Sequence, residues 1–330
     1  MRLLKILSAI LLLLLVIYLF GPHPSTPVFT TISPVVPNDP VALEQFVAAN
    51  ENVHRLKPGN RAEIIWNDSL HTKTPYAIVY LHGFSASREE GSPVHTDIAK
   101  KFGCNLYLSR LSQHGIDTAE ALVNFTAENI WESAKEALAV GRQLGNKVIL
   151  MGTSTGGSLA LQLAATYPDV AALVLLSPNI EINDPNAWLL NNPWGLQIAR
   201  MVVGGNYNVA KNNTPLYRQF WNRQYRLEAA VQLQEYLEDA MNDKTFSKIH
   251  QPVLALYYYK DEQHQDPVVR VSAIKTMMDE VATPAALKHQ QAIPNAENHV
   301  LGSYILSKDV ATVEKEIADF LITIIKKQNK

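Results

Sequence analysis

Short β-rich runs and longer stretches of helical period alternate along most of the chain. The strand candidates are Ala62–Trp66, Tyr76–Leu81, Asn105–Leu108, Lys147–Met151, Ala172–Leu176, Val253–Tyr259 and Lys288–Ile293. Helical patterns over Val94–Phe102, Glu128–Leu144, Gly156–Tyr167, Leu227–Met241, Val271–Val281 and Asp309–Lys326 separate most of them, and an amphipathic helix over Ala42–Glu51 opens the body. Several strand candidates, such as Val148–Met151 and Leu173–Leu176, are unbroken apolar runs. A strand exposed on one face alternates apolar and polar residues. An unbroken run needs cover on both faces, as crossover helices provide for parallel strands. The pattern predicts an α/β body built on a doubly wound, mostly parallel sheet.

One interval breaks the rhythm. Between Ser177 and Val253 about 75 residues intervene where a crossover needs only a dozen or more. The interval holds Trp188, Trp194, Tyr207, Tyr217, Phe220, Trp221 and Tyr225. It reads as a mostly helical insertion over about 180–250, placed at the carboxyl ends of the strands where open α/β sheets bind ligands. An apolar lid is the expectation.

The first forty residues follow another pattern. Arg2 and Lys5 precede an apolar run from Ile6 to Phe20 broken only by Ser8. A helix spanning Leu3 to Phe20 would be about 27 Å long, just enough for a thin bilayer. Residues 1–20 are therefore expected to be a membrane anchor, with the body outside the cytoplasm. A cleaved signal sequence with export is the alternative, although no small-x-small site follows the run. Pro22, Pro24, Pro27, Pro34, Pro37 and Pro40 then make residues 21–40 a stiff Pro-rich linker off the membrane, ahead of a body over 41–330.

Composition narrows the partners. Apolar residues make up 47% and charged residues 18%, with a formal net charge of −2, which suits a folded body. No Lys/Arg run marks a nucleic-acid partner. Cys104 stands alone, and no metal-ligand spacing accompanies it, so neither an internal disulfide nor a metal is expected.

The sharpest chemical signal is Gly152-Thr153-Ser154-Thr155-Gly156, between a predicted strand and a predicted helix. That is the setting of a nucleophile elbow, in which flanking glycines let strand and helix approach around an exposed serine. A serine hydroxyl needs a base. In this arrangement the acid and then the histidine follow the serine. Beyond Val253–Tyr259 the histidines are His264, His289 and His299. His289 falls in a strand and His264 in the loop expected to carry the acid, whereas His299 lies in a loop between the last strand and the last helix. His299 is the expected base. For the acid, strand spacing favours Asp261, while Asp266, followed by Pro267-Val268-Val269, has the better-anchored loop. Asp266 is preferred, with Asp261 and then Glu262 as alternatives. The oxyanion needs two N–H donors: Thr155 after the nucleophile, and Phe84 in His82-Gly83-Phe84-Ser85. His82 and His114 read as loop-orienting histidines.

Leu81-His82-Gly83-Phe84, the Ser154 elbow, Asp266-Pro267-Val268-Val269 and Asn298-His299-Val300 together resemble the α/β-hydrolase superfamily, nearest its carboxylesterase and monoacylglycerol-lipase-like branch. The resemblance covers roughly residues 61–325. It implies a lid inserted after the sixth core strand and hydrolysis of esters through an acyl-enzyme, without cofactor or metal. The stretch from Tyr258 to Asp266 departs from the short glycine-bearing loop usual there, and only one clear strand precedes Tyr76–Leu81, so an edge strand is missing. The anchor and the insertion's aromatics favour an apolar acyl ester as substrate. Peptidase, thioesterase and acyltransferase chemistry share the same machinery, and a membrane-tethered, non-catalytic binding protein is the reading from a different class. No substrate-binding residue is assigned.

Overall fold

The computed structural model describes residues 2–328; the expected outer boundaries at 1 and 330 lie outside the described residues. Helix α1 (Arg2–Leu19) and α2 (Pro40–Asn52) lead into β1 (Glu63–Ile65), β2 (Thr74–Leu81), α3 (Val94–Phe102), β3 (Asn105–Leu108), α4 (Ala127–Leu144), β4 (Gly145–Thr153), α5 (Thr155–Thr166) and β5 (Val170–Leu176). Then come α6 (Gly195–Val203), β6 (Tyr207–Val209), α7 (Pro215–Phe220), β7 (Gln224–Arg226), α8 (Leu227–Ala240) and α9 (Asp243–Phe246). Last are β8 (Val253–Tyr257), α10 (Val271–Glu280), β9 (Lys288–Ala292) and α11 (Val310–Gln328).

The main sheet has seven strands in the order β1-β3-β2-β4-β5-β8-β9. Only the edge strand β1 runs antiparallel, to β3; the other pairings are parallel. On β2, Ala77, Val79 and Leu81 face one apolar layer with Trp131 and Leu138 of α4, Leu159 and Leu163 of α5, and Met277 of α10. Tyr76, Ile78 and Tyr80 face the other, with Ile98 of α3 and Ile317 and Leu321 of α11. Both faces are covered, which is why the strands read as continuous apolar runs. Emptying one such position, for example Ile78→Ala, typically costs about 2–5 kcal/mol. The helix ends are set locally. Asp39 caps α2 ahead of Pro40, Thr126 and Asn129 form a capping box on α4, and Gly103 closes α3 in the left-handed region.

The insertion follows β5, the fifth strand of this chain, because the sheet has one edge strand fewer than the family pattern implies. It divides in two. Leu233, Tyr236 and Leu237 of α8 are buried in the α4/α5 layer, so α8 serves as a crossover helix. The piece before it carries the antiparallel β6–β7 pair, which the hydrophobic pattern did not mark because neither Tyr207–Val209 nor Gln224–Arg226 holds an apolar run.

The N-terminal expectation is overturned. Among the described residues no helix is long and apolar enough to cross a membrane, so neither the single anchor nor a body held outside the cytoplasm by it stands. The reason is length. Helix α1 includes Lys5 and ends at Leu19, leaving an apolar run of about 21 Å against a hydrocarbon core of about 30 Å. The side chains of Leu3–Leu19 stand exposed, but its end is tied to the insertion. The Trp194 indole N–H donates to Ile17 O (3.0 Å) and the Trp194 backbone N–H to Pro22 O (3.0 Å).

The Pro-rich stretch is no free spacer either. It is extended, as the prolines require, but lies across α4 as a strap. The Phe29 ring meets Trp131 and Tyr236 edge-on at 6.1 and 5.9 Å. Trp131 Nε1 donates to Thr30 O at 2.8 Å, and Tyr167 Oη to Thr31 O at 3.0 Å. Lys135, 1% exposed, donates to Thr30 Oγ1 (2.5 Å) and Ile32 O (3.0 Å) and pairs with Glu132 (2.9 Å). Without the strap this ammonium would keep one partner and lose two. A chain starting at residue 38 should therefore melt several degrees below the full chain, each orphaned polar group costing about 1–3 kcal/mol. Lys135→Met should recover part of the loss in the truncated chain only. Equal melting temperatures with and without the strap would remove this account.

Candidate active site

The carboxyl ends of β2, β4, β5, β8 and β9 meet at one edge of the sheet, and the loops leaving them supply the site. Strand β4 ends at Thr153 and α5 begins at Thr155, so Ser154 alone makes the turn, at φ 53°, ψ −120°. A non-glycine residue there is strained by about 1–3 kcal/mol. The surroundings hold it. Ser154 N–H donates to Leu176 O (2.9 Å), and Ser154 O accepts from Gly157 N–H (2.8 Å), Ser158 N–H (3.2 Å) and Asn179 N–H (3.0 Å). The glycines are needed for contact: a Cβ on Gly152 would come within 2.3 Å of Gly156 O, and one on Gly156 within 1.9 Å of Leu81 O.

His299 and Asp266 meet across 33 residues of sequence, with His299 Nδ1 2.7 Å from Asp266 Oδ2. The loop between Tyr258 and Asp266 folds back on itself through a Tyr259–Gln265 bridge, and Asp266 N–H donates to Tyr258 O (3.0 Å). The excursion therefore returns Asp266 to the end of β8. Its Oδ1 accepts from Val268 N–H (2.8 Å) and Val269 N–H (3.1 Å). Burial alone would raise the Asp266 carboxyl; the His299 charge and hydrogen bond, with these two N–H groups, outweigh it and hold the carboxyl below its usual value. Burial likewise depresses His299, but Asp266 and then Glu90 more than reverse it and leave the imidazole raised. Asp261 is not brought to His299. It is half exposed, caps the loop through Gln263 and His264 N–H, and pairs with His264 at 2.8 Å.

The loop after β2 is tightly held. His82 Nδ1 donates to Gly83 O (2.9 Å) while its Nε2 accepts from Leu111 N–H (3.0 Å). His114 Nδ1 donates to Ser112 O (2.7 Å) while its Nε2 accepts from Ser85 N–H (3.0 Å). Both rings must be neutral to do this, and burial lowers both, His114 to about 4. Gly83 N–H goes to Glu90 Oε2 and Ala86 N–H to Gly83 O. Among the described residues, Phe84 N–H and Thr155 N–H meet no acceptor. Thr155 is fully buried and Phe84 half-buried, and these are the two donors expected for an oxyanion.

Ser154, Asp266 and His299 are 6%, 1% and 8% exposed. Over the loop lies the insertion. Asn222 N–H donates to Ser85 O (2.7 Å), and Phe220 and Trp221 pack with Ala86 and Val300. Lys57 Nζ holds the C-terminal end of α7 through Arg218 O (3.2 Å), Trp221 O (3.1 Å) and Asn222 Oδ1 (2.8 Å). A cavity of about 590 Å³ between Ile180, Trp188, Leu237 and Arg270 includes none of the three site residues. Among the described residues no cluster of His, Cys, Asp and Glu could hold a metal. Sequence reasoning missed Glu90, since nothing in Arg88-Glu89-Glu90 distinguishes the buried carboxyl from its neighbour.

Known proteins are similar to this chain in sequence or in fold. A thermostable monoacylglycerol lipase from Bacillus sp. (strain H-257) is 28% identical over 108 residues, which are 33% of this chain and 42% of that protein. The chain thus spans less than half the length of that curated relative. Solved structures similar in fold include one from the metagenome-derived lipolytic enzymes LipS and LipT, at TM-score 0.65 and 15% identity, covering 82% of this chain and 100% of that one. Est1E from Butyrivibrio proteoclasticus, with ferulic acid bound, has a TM-score of 0.55 at 16% identity and covers 81% and 95%. The sequence pattern of the alpha/beta hydrolase fold matches residues 76–265, and with the sheet order and the elbow already described, the chain belongs to the alpha/beta hydrolase fold family.

Proposed function

We propose that the chain is a serine hydrolase that cleaves carboxylic esters through an acyl-enzyme. The observation that carries this reading is the buried Asp266–His299 pair, set on the same sheet edge as a serine in a strained elbow. In this scheme His299 takes the Ser154 proton as Oγ attacks the ester carbonyl. Asp266 holds the imidazole tautomer and stabilises the imidazolium. The N–H groups of Phe84 and Thr155 receive the oxyanion, the latter at the N-terminus of α5 where the helix dipole adds to it. His299 then returns the proton to the leaving alcohol, and water enters by the same steps in reverse to release the acid.

Support for an apolar substrate comes from the rings around the loop. Phe84 meets Phe125 and Tyr225 at 5.1 and 5.0 Å, and Tyr217 stacks on Trp221 at 5.2 Å. The insertion carrying Tyr217, Trp221 and Tyr225 would act as the lid. The monoacylglycerol-lipase and esterase relatives fit such a substrate. With the site residues so little exposed, the insertion must shift for substrate to enter.

Two measurements test this. Hydrolysis of chromogenic acyl esters from acetyl to long-chain should be abolished in Ser154→Ala and peak at one chain length. Turnover confined to peptides or thioesters would move the substrate class, and none at all would leave a non-catalytic scaffold. In the same assay Asp266→Asn should lower kcat by roughly 10⁴-fold, as loss of the tautomer-holding acid does elsewhere, while Asp261→Asn should change it less than about twofold. A severe loss in Asp261→Asn would transfer the acid to that residue.

A further inference from the structure

Glu90 is an ionisable group beside the proposed nucleophile that the scheme above leaves unused. It lies in the short helical turn Arg88–Gly91 and is 2% exposed. Its Oε2 accepts the Gly83 N–H at 2.5 Å. A Cβ on Gly83 would sit 2.9 Å from Glu90 Oε2 and 3.0 Å from Ser154 Cβ, so carboxyl and nucleophile side chain are separated by no more than about twice that. The other groups facing it are His299, the Trp221 indole N–H of the insertion, Tyr80 of β2 and Tyr217 of α7. Burial drives Glu90 up to about 7 against the opposing pull of the Gly83 N–H, His299 and Trp221. His299 in turn faces two carboxyls, Asp266 at Nδ1 and Glu90.

Peptide geometry says what the contact does. In a trans peptide the C=O and N–H point in opposite directions. Gly83 O is held by His82 Nδ1 and Ala86 N–H, so the Phe84 N–H of that same peptide is turned away from them. Glu90 fixes the preceding peptide through Gly83 N–H. Both planes flanking Gly83 are then set, and with them the aim of Phe84 N–H. We propose that Glu90 is a positioning residue that anchors the oxyanion loop through Gly83 N–H. This rests on the reading of Ser154 and His299 as nucleophile and base.

The test compares the full chain with Glu90→Gln and Glu90→Ala, using a short-chain chromogenic ester from acid to alkaline pH and Ser154→Ala as blank. In Glu90→Ala kcat should fall roughly 10–100-fold with KM within about twofold, the signature of a donor needed more in the transition state than in the ground state. In Glu90→Gln, whose amide oxygen can still accept the Gly83 N–H, kcat should recover to within about threefold of the unmutated chain. An unchanged kcat in Glu90→Ala, or a loss in Glu90→Gln as large as in Glu90→Ala, overturns the proposal and leaves Glu90 a packing residue. If Glu90→Ala does not fold, Glu90→Met, which fills the space without offering the amide a carboxylate oxygen, takes its place. Absence of serine-dependent turnover in the unmutated chain overturns the ester reading instead, a result distinct from an unchanged kcat in Glu90→Ala.

Discussion

At the elbow a strand and a helix touch with one residue between them. Gly156 packs on the end of β2 so closely that a methyl group there would overlap Leu81 O, and Ser154 is left at a positive φ that its neighbours hold in place. Everything around the site is arranged about that contact. The carboxyl end of β2 must lie under the start of α5, which brings the His82–Ser85 loop beside Thr155. The same closeness puts two unpartnered N–H groups on a common edge. Strain at one residue is outweighed by the packing of a sheet covered on both faces, and so a reactive geometry persists that an isolated turn would relax.

Charge is the second constraint, and burial alone does not decide its outcome. Asp266 and Glu90 are both carboxyls with almost no solvent, yet they shift in opposite directions. Asp266 accepts two backbone N–H groups and an imidazole, enough to keep it charged in a dry site. Glu90 has fewer compensating partners, and desolvation prevails. Lys135 belongs to the same argument at the far side of the molecule, where the N-terminal strap supplies two of the acceptors its ammonium needs. Asp266 and Lys135 each draw on a remote piece of chain, His299 for the one and residues 30–32 for the other.

The insertion and the N-terminal segment are joined. Trp194 ties the end of α1 to the insertion, and the strap continues from there across α4. Prolines that keep residues 21–40 extended also suit them to run along a helix face, and the contacts of Phe29, Thr30 and Thr31 show that they do.

Much of this was legible before any tertiary structure. Unbroken apolar runs such as Val148–Met151, bounded by turn residues, fit doubly covered strands, and all seven strands of the sheet were marked by them or by their alternation with helices. The Gly-x-Ser-x-Gly turn is local chemistry, dictated by the room a Cβ would need, and the order of serine, acid and histidine narrowed the partners to a few residues. Other features lie beyond local pattern. That the end of α1 is tied down depended on Trp194, which comes from far along the chain to meet it. Whether Asp261 or Asp266 comes to His299 depended on how a nine-residue loop folds back, and neither Tyr207–Val209 nor Gln224–Arg226 holds an apolar run to read. Glu89 and Glu90 are indistinguishable in sequence; only a turn packed against the His82–Ser85 loop buries one of them against Gly83. Local sequence determines which backbone each segment can adopt, whereas the partner of a buried charge is supplied by residues far away in the chain, and only the tertiary structure decides which.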